Sequence, residues 1–183
     1  MSTSLRLSLV RHAKSSWKHP GLADHDRPLN ARGRRDAPRM GARLAGRGFA
    51  PELVLTSTAV RARATAEAIA AACGIDGRVR TRRALYHASP EAVLEVVEAA
   101  CERAPSPPTH VAVVGHNPGL TDLVTWLSGA ELDDLPTCGV ATLLLDAERV
   151  ADLISDGARL ESLETPKNDP ERDAASAPGE PRS

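Results

Sequence analysis

Aromatic residues are nearly absent from this sequence of 183 residues. Phe, Trp and Tyr together make up 2% of the chain, as one Phe, two Trp and one Tyr. A core in such a chain must be built from aliphatic side chains, chiefly Leu, Val and Ala. The scarcity also argues against single-stranded nucleic-acid binding of the kind that stacks bases on aromatic rings.

Cysteines and long apolar runs are also scarce. The three cysteines, Cys73, Cys101 and Cys138, lie far apart and show neither metal-binding nor redox spacing, so a reducing compartment is expected. No apolar stretch reaches the length that spans a membrane, and the N-terminus carries no signal-peptide pattern. We therefore expect a cytoplasmic protein that has no membrane partner.

The length and composition of the chain are sufficient for one globular domain. Hydrophobic residues make up 42% of the chain and charged residues 26%, as is typical of globular proteins. Short apolar runs alternate with helical patterns, which predicts an α/β fold with a mostly parallel sheet. Residues 166–183 have almost no apolar side chains besides Ala, and we expect a disordered C-terminal tail there.

The first predicted strand, Leu5 to Arg11, ends at a charged pair. Arg11 and His12 lie at its carboxyl end, where open α/β sheets bind their ligands. A neutral imidazole is a nucleophile toward phosphorus, and an adjacent guanidinium favours the unprotonated ring while it holds phosphate oxygens. So short a motif is common by chance, and a solvated strand end explains it as well.

A second strand end supplies another arginine. A strand is predicted over 52–56, and Ser57 or Thr58 is expected to cap the helix that follows. Arg61 lies in the first turn of this helix, and helical side chains tilt toward the helix N-terminus. The guanidinium of Arg61 can therefore reach the sheet edge from which the first strand's charged pair emerges.

A third strand end, at His116, leads to the same edge. Residues 110–115 form the clearest buried strand, and Asn117 and Pro118 are expected to cap and open the next helix. His116 then lies beside the positive end of a helix dipole, which suits an anion. Two arginines and two histidines around one point favour a bound phosphate, because arginine forks match its oxygens.

These motifs resemble the histidine phosphatase superfamily, the phosphoglycerate-mutase-like proteins. The matching segments, in family order, are Leu9-Val10-Arg11-His12, Pro28-Leu29 with Gly33, Thr56-Ser57 with Arg61-Ala62 and Thr65, and Val114-Gly115-His116-Asn117. Two longer segments, Arg11 to Ser15 and Gly115 to Gly119, are most similar to the SixA-like phosphohistidine phosphatases. The resemblance implies a three-layer α/β/α sandwich with a mixed, mainly parallel central sheet, formed by residues 1–165.

The resemblance also implies roles for the matched residues. His12 would be the nucleophile and would become transiently phosphorylated. The phosphoryl oxygens would be held by the side chains of Arg11, Arg61, His116, Ser15 and Asn117. No metal ion or organic cofactor is implied. Ala13 departs from the family's usual Gly, and Lys18 stands near a position where Asn is common.

The group that protonates the leaving group is less clear. Many family members carry an acidic residue between the segments that match Arg61 and His116, and Glu91 is the candidate for this general acid. Glu91 also begins an exposed stripe of Glu residues, and the helix dipole favours an acidic residue there without any catalytic role. SixA-like members lack a clear acid, which suits phosphohistidine because an imidazole leaves more readily than an alkoxide.

The expected function is therefore hydrolysis of phosphohistidine through a covalent intermediate on His12. The expected partner is a phosphorylated protein, such as a histidine-phosphorylated signalling or phosphotransfer protein. The alternatives are a phosphomonoesterase acting on a small phosphorylated metabolite or another phosphoprotein, and a non-catalytic phosphate-binding module. Arginines recur along the helix predicted over 31–47, but a solvated face explains them, so no nucleic-acid partner is expected. A monomer is expected.

Overall fold

The structure is a computed structural model that describes residues 4–145 and 157–167. Within these residues, strands and helices alternate along most of the chain. The strands are β1 (Leu5–Arg11), β2 (Leu53–Ser57), β3 (Val79–Arg82), β4 (His110–Gly115), β5 (Val140–Leu145) and β6 (Ala158–Glu164). The α-helices are α1 (Ala31–Gly46), α2 (Val60–Cys73), α3 (Pro90–Glu102) and α4 (Gly119–Ser128). Single 3₁₀ turns occupy Asp24–Asp26, Asp76–Arg78 and Arg83–Leu85.

One mixed sheet organises the molecule. Its six strands lie in the order β3-β2-β4-β1-β5-β6. The neighbours β3, β2, β4 and β1 are parallel, whereas β5 runs antiparallel to both β1 and β6. The prediction of a mixed, mainly parallel sheet is confirmed. The carboxyl ends of β1, β2 and β4 therefore lie side by side at one edge.

Helices cover both faces of the sheet. On one face, α1 and α2 pack on an aliphatic cluster that includes Val10 and Met40. On the other face, α3 and α4 pack on Leu7 and Leu9 in a second cluster, to which α4 contributes Leu123. Because alternate side chains of β1 enter opposite clusters, the middle of the strand is buried on both faces. This arrangement confirms the predicted three-layer sandwich.

Two helix starts differ from the sequence-based prediction. Helix α4 begins at Gly119, Pro118 occupies its N-cap position, and the peptide bond between Asn117 and Pro118 is cis. Helix α2 has Ala59 at its N-cap position, with no side-chain hydrogen bond from that residue. The predicted caps at Asn117, and at Ser57 or the threonine after it, are therefore wrong. The side chain of Asn117 bonds instead to Asp134, and that of Ser57 bonds to His116.

The arginine-rich face of α1 makes contacts within the chain. Arg43 donates to the main-chain oxygen of Thr165 at 3.0 Å, and Arg47 forms an ion pair with Glu164. These contacts tie the C-terminal half of α1 to the end of β6. Part of the arginine face thus contributes to tertiary structure.

Two further expectations concern the C-terminal tail and membrane-spanning helices. The predicted tail lies outside the described residues, except for Pro166 and Lys167, which form a turn. No helix within residues 4–145 and 157–167 is long and apolar enough to cross a membrane.

Candidate active site

The strand ends bring the predicted side chains together in one cleft. Arg11 and Gly115 are register partners at the ends of β1 and β4, so His12 and His116 emerge next to each other. Their ring centroids are 5.1 Å apart. The cleft has a volume of about 300 Å³. It is lined by Arg11, His12, Lys14, Ser15, Trp17, Asp24, Arg27, Arg61, His87, His116, Asn117 and Thr137.

His12 has a defined tautomer. Its Nδ1 lies 2.8 Å from the main-chain oxygen of Ala13, and a carbonyl can only accept, so Nδ1 carries the proton. The lone pair of Nε2 then accepts a hydrogen bond from Nε of Arg61 at 3.2 Å. The pKa of His12 is lowered to about 4, chiefly by burial and also by the positive charges of Arg61 and Arg11, against the opposing effect of the Ala13 hydrogen bond. The ring is therefore neutral at pH 7.

Arg61 links the two histidines. Its side chain is 3% exposed, although it carries a full charge. Besides the bond to His12, Nη2 lies 3.4 Å from Nδ1 of His116 and 2.8 Å from Oδ2 of Asp24. Nη1 donates to the main-chain oxygen of Asp24 at 2.5 Å. Each nitrogen of the guanidinium is thus oriented toward the cleft or its wall.

His116 is held from the opposite side by Ser57. Because Arg61 can only donate to Nδ1, the neutral ring carries its proton on Nε2 and donates to Oγ of Ser57 at 2.9 Å. The pKa of His116 is lowered to about 3, chiefly by burial and also by the proximity of His12 and Arg61. The hydroxyl of Ser57 also accepts from the amide of Ala59 at 3.2 Å, which explains why it does not cap α2.

Arg11 is anchored by the loop between α4 and β5. Its Nη1 donates to Oδ2 of Asp134 at 2.6 Å and to the main-chain oxygen of Leu135 at 2.7 Å. Asn117 donates from Nδ2 to the other oxygen of Asp134 at 2.6 Å. Within the described residues, Nε of Arg11 and Oδ1 of Asn117 are buried without a hydrogen-bond partner. Arg11 therefore keeps a free donor, whereas the amide hydrogens of Asn117 serve Asp134 and its loop.

Ser15 brings a further arginine into the site. Its buried hydroxyl accepts from Nη2 of Arg27 at 2.5 Å. Arg27 is itself buried, donates from Nη1 to Asp24 at 2.7 Å, and lies over the ring of Trp17 at 3.3 Å. Arg27 was not among the predicted site residues, since no strand end or helix turn marks it in the sequence.

Asp24 lies at the centre of the cleft wall and was also missed as a site residue. Its Oδ1 accepts from Arg27, and its Oδ2 accepts from Arg61, from the hydroxyl of Tyr86 at 2.8 Å and from Nε2 of His87 at 3.2 Å. Burial opposes ionisation, but these hydrogen bonds outweigh it and hold the pKa of Asp24 well below its usual range. Asp24 is therefore a fixed carboxylate beside the phosphate-binding candidates.

Glu91 does not reach the cleft. It lies exposed in the first turn of α3 and is absent from the cleft lining. A side-chain hydrogen bond with Ser89, the N-cap of this helix, lowers its pKa. A general acid needs the opposite shift, so these facts favour a role in stabilising the helix start. The structure thus does not support the predicted candidate acid.

Comparisons with known proteins agree with this geometry. The family model for the histidine phosphatase superfamily (branch 1) matches residues 7–87. An uncharacterized protein of Mycobacterium tuberculosis is 38% identical over 144 residues, which cover 73% of this chain and 85% of the relative. A provisionally assigned SixA phosphohistidine phosphatase from Agrobacterium tumefaciens is 31% identical, with a TM-score of 0.72 over 88% of this chain and 98% of that chain. The protein histidine phosphatase SixA complexed with tungstate shares the fold, with a TM-score of 0.75 at 21% identity over 90% of this chain and 99% of that chain.

Proposed function

This chain belongs to the histidine phosphatase superfamily, and we propose that it hydrolyses phosphohistidine on partner proteins through a phosphohistidine formed on its own His12. One observation carries the proposal. The ring of His12 is neutral, its Nδ1 proton is fixed on Ala13, and its Nε2 lone pair faces the buried Arg61. This is the tautomer that a nitrogen nucleophile needs, and attack on phosphorus becomes possible once a phosphoryl oxygen replaces Nε2 as the acceptor from Arg61.

The first half of the reaction transfers the phosphoryl group to the enzyme. Arg61 and Arg11, which both line the cleft, bind the phosphoryl oxygens and place phosphorus in line with Nε2 of His12. Nε2 attacks phosphorus, the P–N bond of the substrate breaks, and its electron pair stays on the substrate's imidazole. The charge on the equatorial oxygens is stabilised by the two guanidinium groups and by His116.

The second half regenerates the enzyme. A water molecule attacks phosphorus from the side that the leaving group has vacated, the P–N bond to His12 breaks, and inorganic phosphate leaves. The electron pair of that bond returns to Nε2. Throughout both steps the proton stays on Nδ1 and is donated to the main-chain oxygen of Ala13, so the ring keeps one orientation.

The shape of the cleft supports a phosphorylated side chain as the substrate. Its volume, about 300 Å³, is at the lower limit of small-molecule pockets. At its mouth the side chain of Trp17 is 75% exposed. A single protruding histidine can enter such a site while the rest of a partner protein stays outside. In addition, the imidazole that leaves phosphohistidine depends less on protonation by a general acid than an alkoxide leaving group does.

A quenched labelling experiment tests the proposal. The protein is mixed with polyhistidine that carries labelled phosphoryl groups, and the reaction is stopped rapidly with base. We expect an acid-labile, base-stable label on the wild type and on His19→Ala, which replaces an exposed histidine outside the cleft. His12→Ala should show no label, and its turnover should be lower by about 10³-fold or more. Undiminished turnover in His12→Ala would overturn the proposal, and phosphate binding by the wild type without any turnover would indicate a binding module instead.

A further inference from the structure

His87 and Asp24 form a hydrogen-bonded pair at the mouth of the cleft. Nε2 of His87 lies 3.2 Å from Oδ2 of Asp24, and because the ionised carboxylate can only accept, Nε2 carries a proton. The second ring nitrogen, Nδ1, is then the one that can exchange a proton with a bound molecule. The side chain of His87 is 52% exposed, so the ring is open to a substrate that enters the cleft.

The ring of His87 is held on its other sides by aromatic neighbours. It stacks on His116 with a centroid distance of 5.0 Å and an interplanar angle of 21°. Tyr86 contacts it edge-on at 4.4 Å and donates its hydroxyl to the same oxygen of Asp24. The pair is thus fixed by contacts with groups that already belong to the site.

The backbone at His87 is strained in order to place this side chain. Its φ is +50°, in the left-handed region, which non-glycine residues seldom adopt. Among the described non-glycine residues, Cys138 is the other one with a positive φ, and its amide contacts the main-chain oxygen of His12. Both strained residues therefore adjoin the candidate nucleophile's cleft, which is where retained strain has a functional reason.

His87 also lies on the side where a leaving group must be. The ring of His116 lies 5.1 Å from that of His12 and 5.0 Å from that of His87, and His87 is the most exposed of the three. In-line attack by His12 pushes the leaving group away from the nucleophile and toward the mouth. Glu91 does not line the cleft. Among the described residues, His87 is therefore the one best placed to donate a proton to a leaving group at the mouth of the cleft.

We propose that His87 is the general acid and base of the reaction and that Asp24 is the residue that orients it. In the first step the Nδ1 proton of the His87 imidazolium passes to the leaving group as its bond to phosphorus breaks. For phosphohistidine the proton goes to the ring nitrogen remote from phosphorus, and for a phosphate ester it goes to the ester oxygen. In the second step Nδ1 takes a proton from the attacking water, which restores the imidazolium. The role rests on phosphoryl transfer through His12 in the proposed function, but not on the identity of the substrate.

Substrates whose leaving groups differ in basicity distinguish a general acid at His87 from a merely structural residue. His87→Asn keeps a side chain that tolerates positive φ and that can still donate to Asp24, but it cannot transfer a proton. We compare p-nitrophenyl phosphate, whose leaving phenolate is weakly basic, with phenyl phosphate. For His87→Asn, kcat/KM should fall about 10²-fold on phenyl phosphate and by less than about threefold on p-nitrophenyl phosphate. Slow hydrolysis of the phosphoenzyme should also produce a burst of one equivalent of p-nitrophenol.

The controls identify which proposal fails. His19→Asn makes the same change at an exposed histidine outside the cleft and should match the wild type on both substrates. An equal loss on the two phosphates for His87→Asn, or no loss on either, would overturn the role of His87. His12→Ala is measured alongside. If it keeps its turnover of aryl phosphates, the proposed function is at fault, whereas an inactive His12→Ala with a uniform loss in His87→Asn refutes only the role of His87.

Discussion

The charge state of the two site histidines depends on what lies between them. Burial and the nearby arginines keep the pKa of His12 at about 4 and that of His116 at about 3, so both rings are neutral at pH 7. A phosphoryl dianion placed among these groups offsets the positive charge of the arginines and favours the protonated form of His116. His116 can then donate to a phosphoryl oxygen. Before the substrate arrives, the same burial and positive charge leave His12 unprotonated, which suits its proposed role as the nucleophile.

Asp24 competes with phosphate for the same arginines. Its carboxylate lies 2.8 Å from Arg61 and 2.7 Å from Arg27, both of which face the cleft. Asp24→Ala removes this negative charge, and we expect inorganic phosphate to bind about tenfold more tightly, since two charges a few ångströms apart interact by a few kcal/mol near a protein surface. Isothermal titration calorimetry measures this change.

The matched control for this prediction is Asp76→Ala, which removes a carboxylate outside the cleft. It should leave the phosphate affinity unchanged. Turnover of Asp24→Ala should nevertheless fall, because His87 loses the group that orients it. Weaker phosphate binding in Asp24→Ala would contradict the prediction and would mean that orientation of Arg61 by Asp24 outweighs the competition.

At the scale of elements, helix α4 fixes the segment that carries Tyr86 and His87. Gly119, the first residue of α4, packs so closely on this segment that a Cβ atom would lie 2.0 Å from the main-chain oxygen of Ala88. Neither the backbone of α4 nor that of the segment at Ala88 can move away without a cost in free energy. Gly119→Ala should therefore lower the free energy of unfolding by about 2 kcal/mol and reduce kcat/KM, because the segment must move. Urea denaturation and turnover of p-nitrophenyl phosphate measure the two effects.

Gly46 provides the control for this change. It lies exposed at the end of α1, and a Cβ atom there would meet nothing within 4 Å. Gly46→Ala should keep full activity and should be neutral or stabilising by up to about 1 kcal/mol, as expected for glycine in a helix. If Gly119→Ala behaves in the same way, the close approach of α4 does not position the segment.

Most of the site residues that could be predicted from the sequence lie at strand ends. Arg11, His12 and His116 directly follow apolar runs, and parallel pairing alone brings such ends to one edge. Asp24 and Asp134 lie instead on loops, where no periodicity fixes the backbone and where partners are set by tertiary contacts. The phosphate-binding candidates could therefore be predicted from the sequence, whereas the carboxylates that orient the arginines could not.

At the scale of the whole molecule, buried histidines lie at both ends of the parallel strands. His12 and His116 lie at the carboxyl ends, and His110 begins β4 at the other end. Burial lowers the pKa of His110 to about 4, with a further contribution from Arg6. Its Nε2 contacts the hydroxyl of Ser8 at 2.9 Å, at the end of β4 opposite to the cleft. All three rings are thus kept neutral by the fold itself.

Neutral buried histidines make the fold sensitive to mild acid. In the unfolded chain a histidine titrates near pH 6.5, whereas in the fold these three titrate at about 4, 3 and 4, so the unfolded state binds more protons as the pH falls from 7 to 5. Each histidine should cost about 2 kcal/mol at pH 5, and the three together about 6 kcal/mol. That loss is comparable to the whole stability of many domains, about 5–15 kcal/mol. Urea denaturation at pH 7 and pH 5, in buffers without phosphate, measures it.

His110 allows this cost to be separated from the chemistry of the site. His110→Gln keeps a side chain that can bond to Ser8 but does not titrate, so the difference in unfolding free energy between pH 7 and pH 5 should shrink by about 2 kcal/mol. Activity at pH 7 should persist, because His110 does not line the cleft. His19→Gln replaces an exposed histidine and should leave the difference as in the wild type. An unchanged difference in His110→Gln would show that this ring is already protonated in the folded protein at pH 5.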